Sequence, residues 1–168
     1  MSYTGRYMSE VIKKLNLKRE KKKKCVIVSN HGRNDIYIEE MEKCLSGNGF
    51  AVMVIKYSDS MPGHKMYQKI EKEDPELVIT LDLAGFNLRT DTDYIAYVNL
   101  SCPNLHFLTD ADTADTYECL GGTLSVAMFF FCLNPETYRY ISISYPQVPC
   151  VKLVANCEEG ILFILDAF

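Results

Sequence analysis

The sequence lacks the motifs by which phosphate-binding and nucleophilic sites are most easily identified. The polar loop SNHGRND at residues 29–35 contains a single glycine, so it matches neither G-x-G-x-x-G nor G-x-x-x-x-G-K-[ST]. The G-x-S-x-G motif of serine hydrolases is also missing. These absences disfavour a nucleotide cofactor and serine-hydrolase chemistry, and we predict no cofactor.

Long apolar runs and paired cysteines are missing as well. No run approaches the about 20 residues of a membrane span, and the basic N-terminus lacks the apolar core and cleavage site of a secretory signal. Seven cysteines are scattered without a C-x-x-C pair, which indicates reduced thiols in a cytoplasmic protein. The three histidines are far apart in the sequence, so we predict no metal site.

The charge divides the chain into two parts. Residues 1–24 carry nine basic residues and two glutamates, a net charge of +7, whereas residues 25–168 carry nine basic and 20 acidic residues, a net charge of −11. The first segment has apolar residues at helical spacing and is predicted to be an amphipathic helix. Such a helix either packs on the body, which we favour, or contacts an anionic membrane surface. The acidic body disfavours nucleic-acid binding.

Residues 25–168 alternate between short apolar runs and segments of helical spacing. We predict strands at 25–30, 50–55, 77–81, 104–109, 125–131, 151–155 and 161–165, and helices at 36–45, 61–72, 93–100 and from Pro135 onward. Alternation of this kind predicts a three-layer α/β/α, Rossmann-like domain with a mostly parallel sheet. Ligands of such sheets bind beyond the carboxyl ends of the strands, where the strand order reverses.

This rule selects the candidate site residues. His31 is our best candidate for a base, and Asp82, which ends a buried strand, is the second catalytic candidate. The residues expected to bind a ligand are those that follow or approach the strand ends: Asn30, Gly32, Arg33, Gly85, Asn99, Thr109 and Asp110. The expected ligand is a small molecule or a glycan.

The polar loop, Asp82 and a further residue, His106, each have two interpretations that the sequence leaves open. The loop at residues 29–35 either binds an anion through Arg33 and the following helix N-terminus or only starts that helix with a cap at Asn34 or Asp35. Asp82 either lines the cleft or accepts hydrogen bonds from the amides of the next loop. His106 lies between apolar neighbours, which favours a core histidine over a catalytic one.

Three stretches of the sequence carry a resemblance to a known family. DPELVITLDLAGF, DYIAYVNLSCPNLHFL and MFFFCLNPETYRYISISYPQVPCVKLVAN resemble the N-terminal, Rossmann-like half of GT-B glycosyltransferases of the spore-maturation type. In that family this half mainly receives the acceptor, and the C-terminal half holds most of the nucleotide-sugar donor. The resemblance implies an acceptor-side domain without a complete active site. Either the polypeptide is a fragment of a longer enzyme, or a stand-alone protein has kept this domain for binding, or a homodimer or partner subunit supplies the second domain.

PELVITLDLAGFNLRT also resembles the third strand and phosphoacceptor loop of response-regulator receiver domains. The resemblance implies that Asp82 is the phosphoacceptor and Thr109 the switch hydroxyl. This chain departs from the family at two places, because Asn134 stands where receivers have a lysine, and Ser29 and Asn30 stand where receivers have an acidic pair for magnesium. The alternative prediction is therefore a degenerate, flavodoxin-like regulatory or interaction module.

Overall fold

The structure is a computed structural model, which describes residues 23–30, 35–58, 61–85, 100–109, 128–146, 150–153 and 157–165. The strands are β1 (Lys24–Asn30), β2 (Ala51–Tyr57), β3 (Leu77–Leu81), β4 (Asn104–Leu108), β5 (Met128–Cys132) and β6 (Cys150–Lys152). The helices are α1 (Asp35–Gly47), α2 (Gly63–Glu73), α3 (Pro135–Ser144) and α4 (Cys157–Leu165). The predicted helix over residues 1–24 lies, apart from its last two residues, outside the described residues, as does nearly all of the helix predicted at 93–100.

The strands form one sheet in the order β2-β1-β3-β4-β5-β6. Each neighbouring pair is parallel, which confirms the predicted α/β, Rossmann-like fold class. All five residues of β3 are buried, as expected for a central strand of a parallel sheet covered on both faces.

Helices cover both faces of this sheet. Successive residues of a strand point to opposite faces, and β1 shows this alternation: Cys25 and Ile27 belong to the core cluster that contains residues of α1 and α4. Val26 and Val28 belong to the cluster on the opposite face, which contains residues of α2 and α3. We refer to these as the α1–α4 face and the α2–α3 face.

The helix boundaries follow from local sequence signals. Asn134 caps α3, because its Oδ1 accepts hydrogen bonds from the amides of Glu136 at 2.8 Å and Thr137 at 3.4 Å. At the end of α2, Asp74 adopts the left-handed conformation with φ of 47°, immediately before Pro75. The predictions that Asn134-Pro135 starts a helix and that Asp74-Pro75 ends one are confirmed.

The strand predicted at 161–165 is wrong, because these residues belong to α4. A short apolar run such as ILFIL does not distinguish a strand from a buried helix. Two signals favoured the helix: Glu158 and Glu159 lie in its first turn, where the helix dipole favours negative charge. A further parallel strand would also have required a connection of a dozen or more residues after β6.

Candidate functional site

Three of the predicted site residues lie at the ends of neighbouring strands. Asn30 is the last residue of β1, Asp82 follows β3, and Thr109 follows β4. The strand order reverses at β1, which has β2 on one side and β3 on the other, and this is where doubly wound sheets bind ligands. The register pairs Val28 with Thr80, so its continuation by two residues aligns Asn30 with Asp82.

Asp82 and Thr109 are joined directly. One carboxylate oxygen of Asp82 accepts a hydrogen bond from the backbone amide of Thr109 at 2.6 Å, and the other accepts one from the Thr109 hydroxyl at 2.6 Å. The amide of Asp82 donates to the carbonyl of Phe107 at 2.8 Å. Asp82 therefore connects the ends of β3 and β4, through an amide that follows β4 and not one from the loop after β3.

The turn after β3 has an unusual backbone. Asp82 has φ of 48°, Leu83 has φ of 55° and Gly85 has φ of 68°. Glycine adopts this left-handed region freely and aspartate tolerates it, whereas leucine does so at a cost of about 1–3 kcal/mol. Leu83 is almost fully buried, with 3% of its surface exposed, so packing holds this conformation. Strain of this kind is concentrated at binding and catalytic sites.

The charge of Asp82 acts on two polar side chains of the helices on the α1–α4 face, Tyr37 and Cys157, and Glu40 acts on the same two. Burial, and then the charges of Cys157, Asp82 and Glu40, raise the pKa of Tyr37. Burial, with the charges of Glu40 and Asp82, also raises the pKa of the Cys157 thiol to about 12. A thiol with this pKa is protonated at neutral pH, so Cys157 is a weak hydrogen-bonding group here and not a nucleophile.

Two buried polar atoms, one in β1 and one in α1, have no hydrogen-bond partner among the described residues. The Oγ of Ser29, near the end of β1, is fully buried, and one carboxylate oxygen of Glu40 in α1 is also buried. By strand alternation Ser29 points to the same face as Cys25 and Ile27, which is the face that α1 covers. Buried polar groups are normally hydrogen-bonded. Both oxygen atoms can therefore accept a hydrogen bond from a ligand.

We use the name acidic edge site for Ser29, Tyr37, Glu40, Asp82, Thr109 and Cys157. Its two carboxylates and three hydroxyls can accept several hydrogen bonds, and the described part of the site contains no cation. Burial and charge repulsion are the only causes of the raised pKa values at Tyr37 and Cys157. This site therefore favours a ligand that donates hydrogen bonds and carries no negative charge.

The other predicted site residues are placed as follows. Gly85 is buried in the strained turn. His31, Gly32, Arg33, Asn99 and Asp110 lie outside the described residues. His31 follows Asn30 directly in the chain.

The sequence analysis missed Tyr37, Glu40 and Cys157. Tyr37 and Glu40 are three residues apart in the first turns of α1, so they share one side of a helix whose start lies at the carboxyl edge of the sheet. That spacing could have identified them. Cys157 could not be found, because the segment that contains it was predicted to lead into a strand.

His106 belongs to the core and not to the site. It is fully buried in β4, its Nδ1 lies 2.6 Å from the hydroxyl of Thr80, and its ring stacks on Phe130 with 4.8 Å between centroids. Burial lowers its pKa to about 3. The structure thus confirms the core histidine that the sequence favoured.

Within the described residues, no group of three or more histidine, cysteine, aspartate or glutamate side chains is arranged to hold a metal ion. The described helices also include none that is both long enough and apolar enough to cross a membrane.

No protein-family profile and no curated protein matches this chain. Among solved structures, the chain is similar to a fusion protein that carries residues 181–211 of the yeast Spc42 trimeric coiled coil. That similarity has a TM-score of 0.40 at 14% identity, and it covers 87% of this chain and 76% of the fusion. A TM-score this low supports no conclusion about either fold or function.

Proposed function

We propose that this chain is an acceptor-side domain of the glycosyltransferase type, which binds a carbohydrate or a nucleotide-bearing ligand at the carboxyl ends of its strands. The observation that carries the proposal is the Asp82–Thr109 pair at the reversal of strand order. Sugar hydroxyls are hydrogen-bond donors, and a carboxylate held in place by two hydrogen bonds is a strong, preoriented acceptor. Tyr37 adds an aromatic surface with a polar hydroxyl.

The proposal concerns binding on the acceptor side and not a complete reaction. In the family that the sequence resembles, the donor is held mostly by a second domain. The role of His31 as a base and the cytoplasmic location stay predictions.

The polar loop after β1 decides whether a phosphate is part of the ligand. Arg33 and the N-terminus of α1 would bind a phosphate, whereas the acidic edge site would repel it. Calorimetric titration with inorganic phosphate and with a nucleoside diphosphate tests whether the polar loop binds an anion despite the nearby acidic edge site. If the loop binds the anion, Arg33→Ala weakens binding without a large change in melting temperature. If the wild-type protein binds no anion, the proposed ligand is a carbohydrate without a phosphate group.

Carbohydrate binding is tested by thermal shift and calorimetry with neutral oligosaccharides and with nucleotide sugars. A ligand that binds only the folded state raises the melting temperature. Asp82→Asn removes the charge but keeps an oxygen that can accept the Thr109 amide, so we expect binding to be lost while the fold persists. Asp74→Asn is the matched control, because Asp74 is an exposed aspartate in the same left-handed conformation. If neither class of ligand binds to the wild-type protein, the proposal is wrong.

One observation favours a second candidate, the degenerate receiver-like module. An aspartate after β3 bonded to a threonine after β4 is the pair that the receiver resemblance implied, and the strands run in the flavodoxin-like order. Against an active receiver, Asn134 uses its side chain to cap α3. Incubation with acetyl phosphate and magnesium, followed by mass spectrometry, tests this candidate. A phosphoryl group on Asp82 would support it, and an unmodified Asp82 would exclude phosphoryl transfer.

A further inference from the structure

Two thiols face each other across the last two strands of the sheet. Cys132 is the last residue of β5 and Cys150 is the first residue of β6. The register pairs Phe130 with Cys150 and Cys132 with Lys152, so the two cysteines are diagonal neighbours. Their sulfur atoms are 3.3 Å apart, and both cysteines are free. A disulfide has a sulfur–sulfur distance of about 2.05 Å, so a closure of about 1.2 Å would join them.

The two thiols differ in their access to solvent. Cys132 is fully buried, whereas Cys150 is half-buried, so a reagent in solution reaches Cys150 first. The hydrogen bond to Cys150, together with burial, raises the pKa of Cys132 well above the ordinary range. Burial and the raised pKa both disfavour Cys132 as the attacking thiol. One accessible thiol and one buried neighbour are the arrangement of an attacking and a resolving cysteine.

We propose that Cys132 and Cys150 are an oxidation site, which a small-molecule disulfide such as oxidised glutathione converts into a reversible disulfide between β5 and β6. This site is independent of the proposed ligand. In a reducing compartment such disulfides are transient and respond to the redox state, whereas the buried cysteines elsewhere in the described core remain inert.

The reaction proceeds in two exchanges. The Cys150 thiol loses its proton to solvent, and its sulfur attacks one sulfur of glutathione disulfide. The glutathione disulfide bond breaks, and the departing thiolate takes up a proton. Cys132 then loses its proton and attacks the Cys150 sulfur of the mixed disulfide, which releases the second glutathione. The protein dithiol thereby gives two electrons and two protons to one glutathione disulfide, which leaves as two thiols.

The disulfide would link the short edge strand β6 covalently to β5. β6 has only three residues and lies at the edge of the sheet, and the segment closed by the bond contains the whole of α3. Closing a segment of this size restricts the unfolded chain. A disulfide formed without strain should raise the melting temperature of the full chain by about 5–10 °C.

The test treats the folded full-length chain with oxidised glutathione, blocks the remaining thiols and identifies cross-linked peptides by mass spectrometry. We expect one disulfide between the peptides that contain Cys132 and Cys150, a higher melting temperature, and full reversal by dithiothreitol. Cross-links that join either cysteine to another one, Cys150 left as the glutathione adduct, or a lower melting temperature after oxidation would each overturn the proposal.

Two variants separate the attacking from the resolving role. Cys132→Ala should stop at the mixed disulfide, with one glutathione on Cys150, because no thiol is left to resolve it. Cys150→Ser should leave Cys132 unmodified in the folded protein. Cys44→Ser, a change of a buried cysteine on the α1–α4 face, is the matched control and should form the same Cys132–Cys150 disulfide as the wild-type protein. If glutathione modifies Cys132 in the folded Cys150→Ser protein, the assigned order of attack is wrong.

Discussion

Asp82 receives both hydrogen bonds that Thr109 can donate, one from the backbone amide and one from the hydroxyl, each at 2.6 Å. The two residues are 27 positions apart in the chain, and they meet because β3 and β4 are parallel neighbours whose ends lie at the same edge. The bond pair fixes the direction in which the chain leaves β4. The two hydrogen bonds also orient the Asp82 carboxylate. The negative charge of this carboxylate contributes to the raised pKa values of Tyr37 and Cys157.

Thr109→Val should lower the free energy of unfolding by about 1–2 kcal/mol, because hydrogen bonds to charged groups contribute about 1.5–3 kcal/mol and this one is only partly buried. Urea unfolding followed by circular dichroism measures the change. Thr109→Ser keeps the hydroxyl and should remain within about 0.5 kcal/mol of the wild-type value. A loss in Thr109→Ser that exceeds the loss in Thr109→Val would show that the methyl group, and not the hydroxyl, stabilises this position.

Gly160 lets α4 pack closely on the sheet. A Cβ atom at this position would lie 2.7 Å from Cε1 of Phe107 and 3.1 Å from Cδ1 of Phe131. We expect Gly160→Ala to destabilise the protein by about 1–3 kcal/mol, despite the better helix propensity of alanine, because overpacking a core displaces its side chains. Thermal and urea unfolding measure the effect.

Gly47→Ala is the control for this change. Gly47 also lies in a helix, but a Cβ there meets nothing within 4 Å. Alanine at this position should be neutral or slightly stabilising. If both glycine variants behave alike, the contact of Gly160 with the two phenylalanines does not limit the packing.

Much of the fold could be predicted because its signals are local. The run Leu77–Leu81 was predicted with the boundaries that the structure shows, since a β-branched run between turn signals is typical of a buried parallel strand. α4 could not be predicted from its apolar run, because the choice between strand and helix there depends on packing against Phe107 and Phe131. The length of the connection after β6 was the signal that would have decided it.

The site could be predicted only in part, for a related reason. Asn30, Asp82 and Thr109 were found because parallel strands bring their carboxyl ends to one edge. The spacing of Tyr37 and Glu40 places both on one side of α1, but periodicity does not encode which helices cover the same face of the sheet, and the position of Cys157 depends on that choice. The hydrogen bonds between Asp82 and Thr109 also depend on the left-handed backbone conformation at Asp82. Gly85 is the only residue in this turn whose type indicates such a conformation, so the sequence did not predict it at Asp82.

Asn134→Ala should destabilise the protein by about 1 kcal/mol, because it removes the side-chain oxygen that accepts from the first amides of α3. Asn134→Asp keeps an acceptor at the cap and places a negative charge at the helix N-terminus, so it should match or exceed the wild-type stability. Chemical unfolding of the three proteins at one pH gives the comparison. A loss in the aspartate variant as large as that in the alanine variant would contradict the capping role.

His106 should make the stability of the fold sensitive to acid. Its pKa is lowered by burial from the ordinary 6.5 to about 3 in the folded protein, so the unfolded chain takes up the proton first. The stabilising contribution is therefore complete above about pH 6.5 and is lost as the pH falls toward 3, at up to about 1.4 kcal/mol per pH unit.

Urea unfolding between pH 7 and pH 4 should show a shallower loss for His106→Gln, which can still bond the Thr80 hydroxyl but does not titrate. His64→Gln, at an exposed position of α2, should keep the wild-type slope. Parallel stability curves for wild type and His106→Gln would mean that His106 does not stay neutral in the folded core.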